Sequence, residues 1–242
     1  MDNLAMLIRW LRWHRATMLL ILTIMVLLAL SITEQYRYGV IALGPIFVLV
    51  IVAAARVAIQ YRRVFRTIII PLAIAFLVAR VSPMAVGASS GATPVAWVLG
   101  LALTAGLLAV LLRGLAEARH VDTETISQAF SGYLLIAIAF AQFYGILNSF
   151  IPGAFNPAAP TGAISLFIYF SFSTLTCVGF GDVTPLDPFV RIVATMEATT
   201  GIFYQTVVIA RLVSLYMPRH PLQQPPDLEE RPEAEPLPSK GL

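Results

Sequence analysis

Thr174-Leu175-Thr176-Cys177-Val178-Gly179-Phe180-Gly181-Asp182 is the stretch on which the reading of this sequence turns. Gly179 and Gly181 alternate with bulky neighbours, and glycine accepts backbone angles of either hand. Successive residues of opposite hand turn consecutive carbonyls toward one line, so a row of backbone oxygens is expected here. The apolar residues 163–175 come just before it, inside a segment, 161–188, that is too polar and too punctuated to be a full crossing. That combination reads as a re-entrant helix followed by an irregular strand. Non-helical backbone at membrane depth is tolerated only where it is buried in protein or lines a water-filled path.

The surroundings are a membrane protein's. Hydrophobic residues make up 58% of the chain and charged residues 12%, against roughly a quarter charged in an ordinary soluble domain. Apolar runs approaching the ~20 residues that a helix needs to cross a bilayer predict spans at 16–33, 38–55, 67–86, 94–112, 127–149 and 189–217. Arg9, Arg12 and Arg15 precede the first span, Arg56, Arg62, Arg63 and Arg66 follow the second, and Arg113 and Arg119 follow the fourth. Arg37, Arg80 and Arg191 fall on or toward the other side. The positive-inside rule therefore puts both termini in the cytoplasm, as an even number of spans requires. A cleaved secretory signal competes for the first run, since Ala29 and Ser31 sit at a cleavage spacing; Trp10 and Trp13 beside the arginines favour an interfacial anchor instead.

The same composition narrows the classes of function. The net charge of +3 is spread between apolar runs and forms no basic domain, so no nucleic-acid partner is expected. Cys177 is the single cysteine, which excludes an internal disulfide and a thiol metal cluster. His14, His120 and His220 lie in flanks or linkers, with nothing to place them beside a nucleophile, so an enzyme is not expected and no cofactor is implied.

Residues 174–181 resemble the signature filter of the potassium-channel family, and 169–185 resemble the pore loop of its prokaryotic two-helix pore modules. The resemblance covers roughly 126–217. Together with the six spans read above, it gives an all-α membrane protein of six transmembrane helices, with a re-entrant pore helix and selectivity filter expected between the fifth and sixth. It further implies that the carbonyls of Cys177, Val178, Gly179 and Phe180 coordinate potassium as the transported ion, one strand from each chain of a homotetramer. Such filters are the reference case for carbonyls replacing an ion's hydration shell. Thr174, Thr176 and Gly181 shape the strand, and Tyr169 on the pore helix is expected to hydrogen-bond Asp182 just outside it. The pore helix would point its negative C-terminal end at the cavity. One departure bears on selectivity: the family usually has threonine where this chain has Cys177, and a thiol is a poor oxygen substitute. Pacemaker-type cation channels share that cysteine and discriminate weakly against sodium, which leaves a weakly selective cation channel as an alternative.

The sixth span carries Gly201, 20 residues after Gly181, where the resembled family places a hinge glycine; close helix packing is the competing reading. Glu197 is an ionisable residue inside a span and so a functional candidate, read as a hydrogen-bonded support behind the filter rather than a pore-facing cation site. Gln205, Ala210, Ser214 and Met217 are expected at the cavity or its lower gate. The expected organisation is a cytoplasmic segment 1–15, a four-helix region 16–113, a cytoplasmic linker 114–125, the pore domain 126–217, and a disordered tail 218–242 rich in proline and glutamate. The four-helix region lacks the arginine ladder of a voltage sensor and is left to brace the pore, bind membrane lipids or sense another signal. The tail is a candidate for a partner-binding proline-rich segment. Potassium-uptake transporters repeat a degraded form of this loop four times per chain, whereas this sequence has one copy. A non-conducting scaffold or regulatory subunit is the remaining alternative, against which Gly179 and Gly181 argue.

Overall fold

The computed structural model describes residues 15–33, 69–85, 94–118, 120–157 and 164–216. Six helices and one two-stranded pairing occur among them. In chain order they are α1 (Arg15–Thr33), α2 (Ile70–Ala85), α3 (Pro94–Glu117), α4 (Thr123–Phe150), β1 (Phe155–Asn156), α5 (Ile164–Leu175), β2 (Thr184–Pro185) and α6 (Pro188–Tyr216). Helices α1, α2, α3, α4 and α6 overlap the stretches expected as spans at 16–33, 67–86, 94–112, 127–149 and 189–217. The span expected at 38–55, Met217 and the tail 218–242 lie outside the described residues. By length and composition α3, α4 and 188–215 of α6 can each cross a membrane, with mean hydropathies of 2.4, 1.7 and 1.3. The 12 residues of α5 rise only ~18 Å at 1.5 Å per residue, too little for a crossing and enough for a half-way helix.

Local sequence sets the helix ends. Asp122 caps α4, its carboxylate accepting from the Thr125 amide at 2.8 Å and the Thr125 hydroxyl at 2.7 Å. That hydroxyl holds the Asp122 carboxyl below its usual range. Asp187 caps α6 in the same way, accepting from the amides of Phe189 (2.8 Å) and Val190 (3.2 Å), with Pro188 at the first helical position, where no amide donor is missed.

Without water to drive apolar surfaces together, helices in lipid associate through close packing and polar contacts, and both are present. The indole of Trp97 on α3 lies against Gly145 of α4, where an added Cβ would come within 2.5 Å of the ring. Gln142 on α4 donates to the Thr104 hydroxyl on α3 at 3.0 Å, and Gly100 leaves room for its amide. Leu19, Ala73, Leu103, Leu107, Leu111 and Leu135 join α1, α2, α3 and α4 in one core. A second, aromatic core joins α3, α4, α5 and α6, with Tyr144 edge-on to Phe170 at 5.0 Å and to Phe155 at 5.7 Å.

The direction of the helices follows from three contacts. The Ala16 amide at the start of α1 donates to Glu124 at the start of α4 (2.6 Å), and Thr17 meets Ser127 at 3.0 Å. Arg211, near the end of α6, donates through Nε to the Leu115 carbonyl at 3.1 Å and through Nη2 to those of Ala116 and, at 3.2 Å, Ala118. The starts of α1 and α4 and the ends of α3 and α6 thus share one side of the bundle. A cation at a helix C-terminus meets its partial negative charge as well as its orphan carbonyls. Arg211→Gln is expected to destabilise the protein by ~1.5–3 kcal/mol, the scale of charged hydrogen bonds. Thermal unfolding in detergent measures this; an unshifted midpoint would mean that the guanidinium does not fasten α6 to α3.

Candidate functional site

The loop between α4 and α6 is stitched at both flanks. β1 pairs antiparallel with β2, Phe155 opposite Pro185 and Asn156 opposite Thr184. The Leu186 amide donates to the Ala154 carbonyl at 2.8 Å, and Arg191 Nε to the Pro185 carbonyl at 3.0 Å. Between these ties α5 descends into the bundle, and the strand after it returns.

The end of α5 is where the strand acquires its shape. The Cys177 amide donates to the Thr174 carbonyl and the Val178 amide to the Ser173 carbonyl, each at 3.0 Å. Cys177 itself is left-handed, with φ 57°. These two bonds around a left-handed residue are the Schellman closure of a helix. The Gly179 amide also reaches the Ser173 carbonyl (3.2 Å), and the Phe180 amide reaches the Ser173 hydroxyl (3.2 Å). Three consecutive amides are therefore consumed by one serine on the protein side.

What remains on the other side is acceptor only. Among the described residues no hydrogen bond ends on the carbonyls of Cys177, Val178, Gly179 or Phe180. Positive φ recurs at Cys177, Gly179 (59°) and Gly181 (82°), so every second residue has the opposite hand. Residues 176–182 are all exposed in the single chain, Val178 by 56% and Phe180 by 68%. A row of unpaired oxygens on a bare edge is a set of hard donors able to stand in for water around a cation.

Residues 132–217 match the ion channel family. They form an ion channel pore domain within a multi-pass membrane protein, and this is a channel family rather than an enzyme family. No curated protein and no solved structure matches the chain.

Within the channel domain, Tyr169 donates to the Asp182 carboxylate, its oxygen 2.9 Å from both carboxylate oxygens, and its ring stacks on Phe180 with centroids 5.8 Å apart. The Thr176 hydroxyl turns back to the Phe172 carbonyl at 2.6 Å, and Thr174 is half-buried on α5. Glu197 is 0% exposed. Its carboxyl accepts from the Tyr144 hydroxyl at 2.6 Å and meets the Ser171 hydroxyl, which also lies 2.7 Å from the Ala137 carbonyl. It therefore joins α6 to α4 and α5.

Gly201 is buried against the end of α5, where an added Cβ would run into the Leu175 carbonyl. That contact calls for glycine by packing alone. Gln205, Ala210 and Ser214 are exposed on α6. The sequence reading did not find Ser171, Ser173, Tyr133, Tyr144 or Arg211. Serines and tyrosines on apolar helices carry no signal of their own, and only the fold shows which carbonyl or carboxyl each one reaches.

Proposed function

We propose that this chain is one subunit of a homotetrameric channel that passes potassium in preference to sodium. The carbonyls of Cys177, Val178, Gly179 and Phe180 from four copies would ring the ion path. The observation that carries this reading is the acceptor-only edge of 177–180, its amides turned back onto Ser173. One chain supplies one wall, and the exposed faces of the filter and of α6 are the surfaces that other copies would cover. In this reading the chain has six crossings, with both termini cytoplasmic and lipid around α1, α2 and α3. Residues 16–113 form the bracing region, 126–217 the pore, and 218–242 a tail open to a partner. Purified protein reconstituted in liposomes is expected to release potassium faster than sodium down matched gradients. Absence of flux for both ions would refute conduction and leave the scaffold reading.

Cys177 supports a second, weaker degree of discrimination. A thiol offers the innermost ion site a poorer ligand than a hydroxyl does. Cys177→Thr is expected to raise the potassium-to-sodium permeability ratio about fivefold, equivalent to ~1 kcal/mol. The same change sets a β-branched residue at φ 57°, so a lower thermal midpoint should accompany it. Reversal potentials in mixed potassium and sodium decide the matter; an unchanged ratio would exclude the side chain at 177 as a selectivity determinant.

A further inference from the structure

Four carbonyls at the end of a helix lack intrahelical partners, and in α5 they belong to Phe172, Ser173, Thr174 and Leu175. Three of them are met by the backbone that follows: Phe172 by the Thr176 amide, Ser173 by those of Val178 and Gly179, and Thr174 by that of Cys177. Leu175 is the exception. Its carbonyl accepts from the Tyr133 hydroxyl, 42 residues away on α4, at 3.1 Å. That hydroxyl has one proton to give, and it accepts in turn from the Gln205 amide on α6 at 3.0 Å.

Tyr133 is itself held in place. Its ring lies 5.8 Å from that of Tyr204. Tyr204 is pinned by a 2.7 Å bond to the Ala129 carbonyl and passes over Gly132, where a Cβ would come within 2.5 Å of its hydroxyl. From the α6 side Gly201 abuts the same Leu175 carbonyl, and Gly201 and Gln205 are one turn apart on one face of that helix. The peptide two residues before Cys177 is thus gripped from two helices. Gln205 is exposed at the point where the strand of carbonyls begins.

We propose that Tyr133, set by Gln205, is a positioning residue for the base of the filter and thereby governs discrimination among alkali cations. The proposal rests on the channel reading above. With the Leu175 carbonyl fixed, the first carbonyl ring cannot relax to suit a smaller ion. With it released, the Schellman turn and the strand after it gain freedom, and the ring adapts to sodium as readily as to potassium.

The test is the potassium-to-sodium permeability ratio of purified variants in liposomes, read from reversal potentials. Tyr133→Phe and Gln205→Leu are each expected to lower the ratio about fivefold, equivalent to ~1 kcal/mol, and the double variant no further, because both break one relay. A wild-type ratio in either single variant overturns the proposal. Losses that multiply in the double variant overturn the relay, and variants with lower yield but an unaltered ratio reduce the pair to structural support. Should Tyr133→Phe fail to fold, Gln205→Leu, at an exposed position, carries the test. A wild-type protein that passes no ion would contradict the channel reading instead. Hydrogen exchange over 172–182 then still decides the positioning role: faster exchange in Tyr133→Phe supports it, and unchanged exchange overturns it.

Discussion

Replacing Glu197 with leucine is expected to leave little or no assembled protein. The carboxyl is the acceptor for the buried Tyr144 hydroxyl and a partner of the Ser171 hydroxyl, and leucine supplies neither. A buried polar group left without a partner costs ~1–3 kcal/mol, as the Tyr144 hydroxyl would be; Ser171 keeps the Ala137 carbonyl but loses its tie to α6, and the loss is a sizeable share of the ~5–15 kcal/mol that holds a typical domain folded. The loss falls where α4, α5 and α6 meet, next to the edge-on aromatic contacts of Tyr144 with Phe155 and Phe170. Glu197→Gln keeps one carbonyl oxygen for Tyr144 and is expected to recover much of the yield. Size-exclusion chromatography after detergent extraction measures this. A leucine variant as abundant and monodisperse as the wild type would mean that the carboxyl supports nothing.

Gly201→Ala is expected to be the second most disruptive change. Its Cβ would occupy space held by the Leu175 carbonyl, and that carbonyl has little freedom to retreat while Tyr133 is bonded to it. Overpacking of this kind costs ~1–3 kcal/mol, and here the strain falls two residues before Cys177. A lower thermal midpoint together with altered permeation is the expected result. A hinge role makes a different forecast, since alanine would only stiffen the helix, by ~1 kcal/mol. Open probability would then shift, while stability stayed at or above the wild-type value and ion preference was unchanged. Single-channel recording beside thermal unfolding separates the two.

The parts of the site legible in the sequence were those with backbone or charge signatures. Gly179 and Gly181 announced alternating hands, and the short apolar run before them announced a short helix. Glu197 stood out because an ionisable side chain within a span is costly, but one helix does not disclose its own rotation. Only the packed neighbours show that this carboxyl lies between α4 and α5. Cys177 as the left-handed end of α5 was not legible, because that position usually calls for glycine or asparagine. Ser173 was equally silent, since any of the serines and threonines along 165–176 could have capped the turn. Arg211 was hidden for another reason: the carbonyls it binds belong to a helix that ends more than 90 residues earlier in the chain.

The central claim is that backbone oxygens of 177–180 from several copies converge on one ion path. Structure determination of the purified protein in potassium chloride tests it most directly. The account predicts four chains about a common axis, with ion density in line with the carbonyls of Cys177, Val178, Gly179 and Phe180. A protein that stays monomeric, or an assembly whose carbonyls at those positions turn away from the axis, would contradict it.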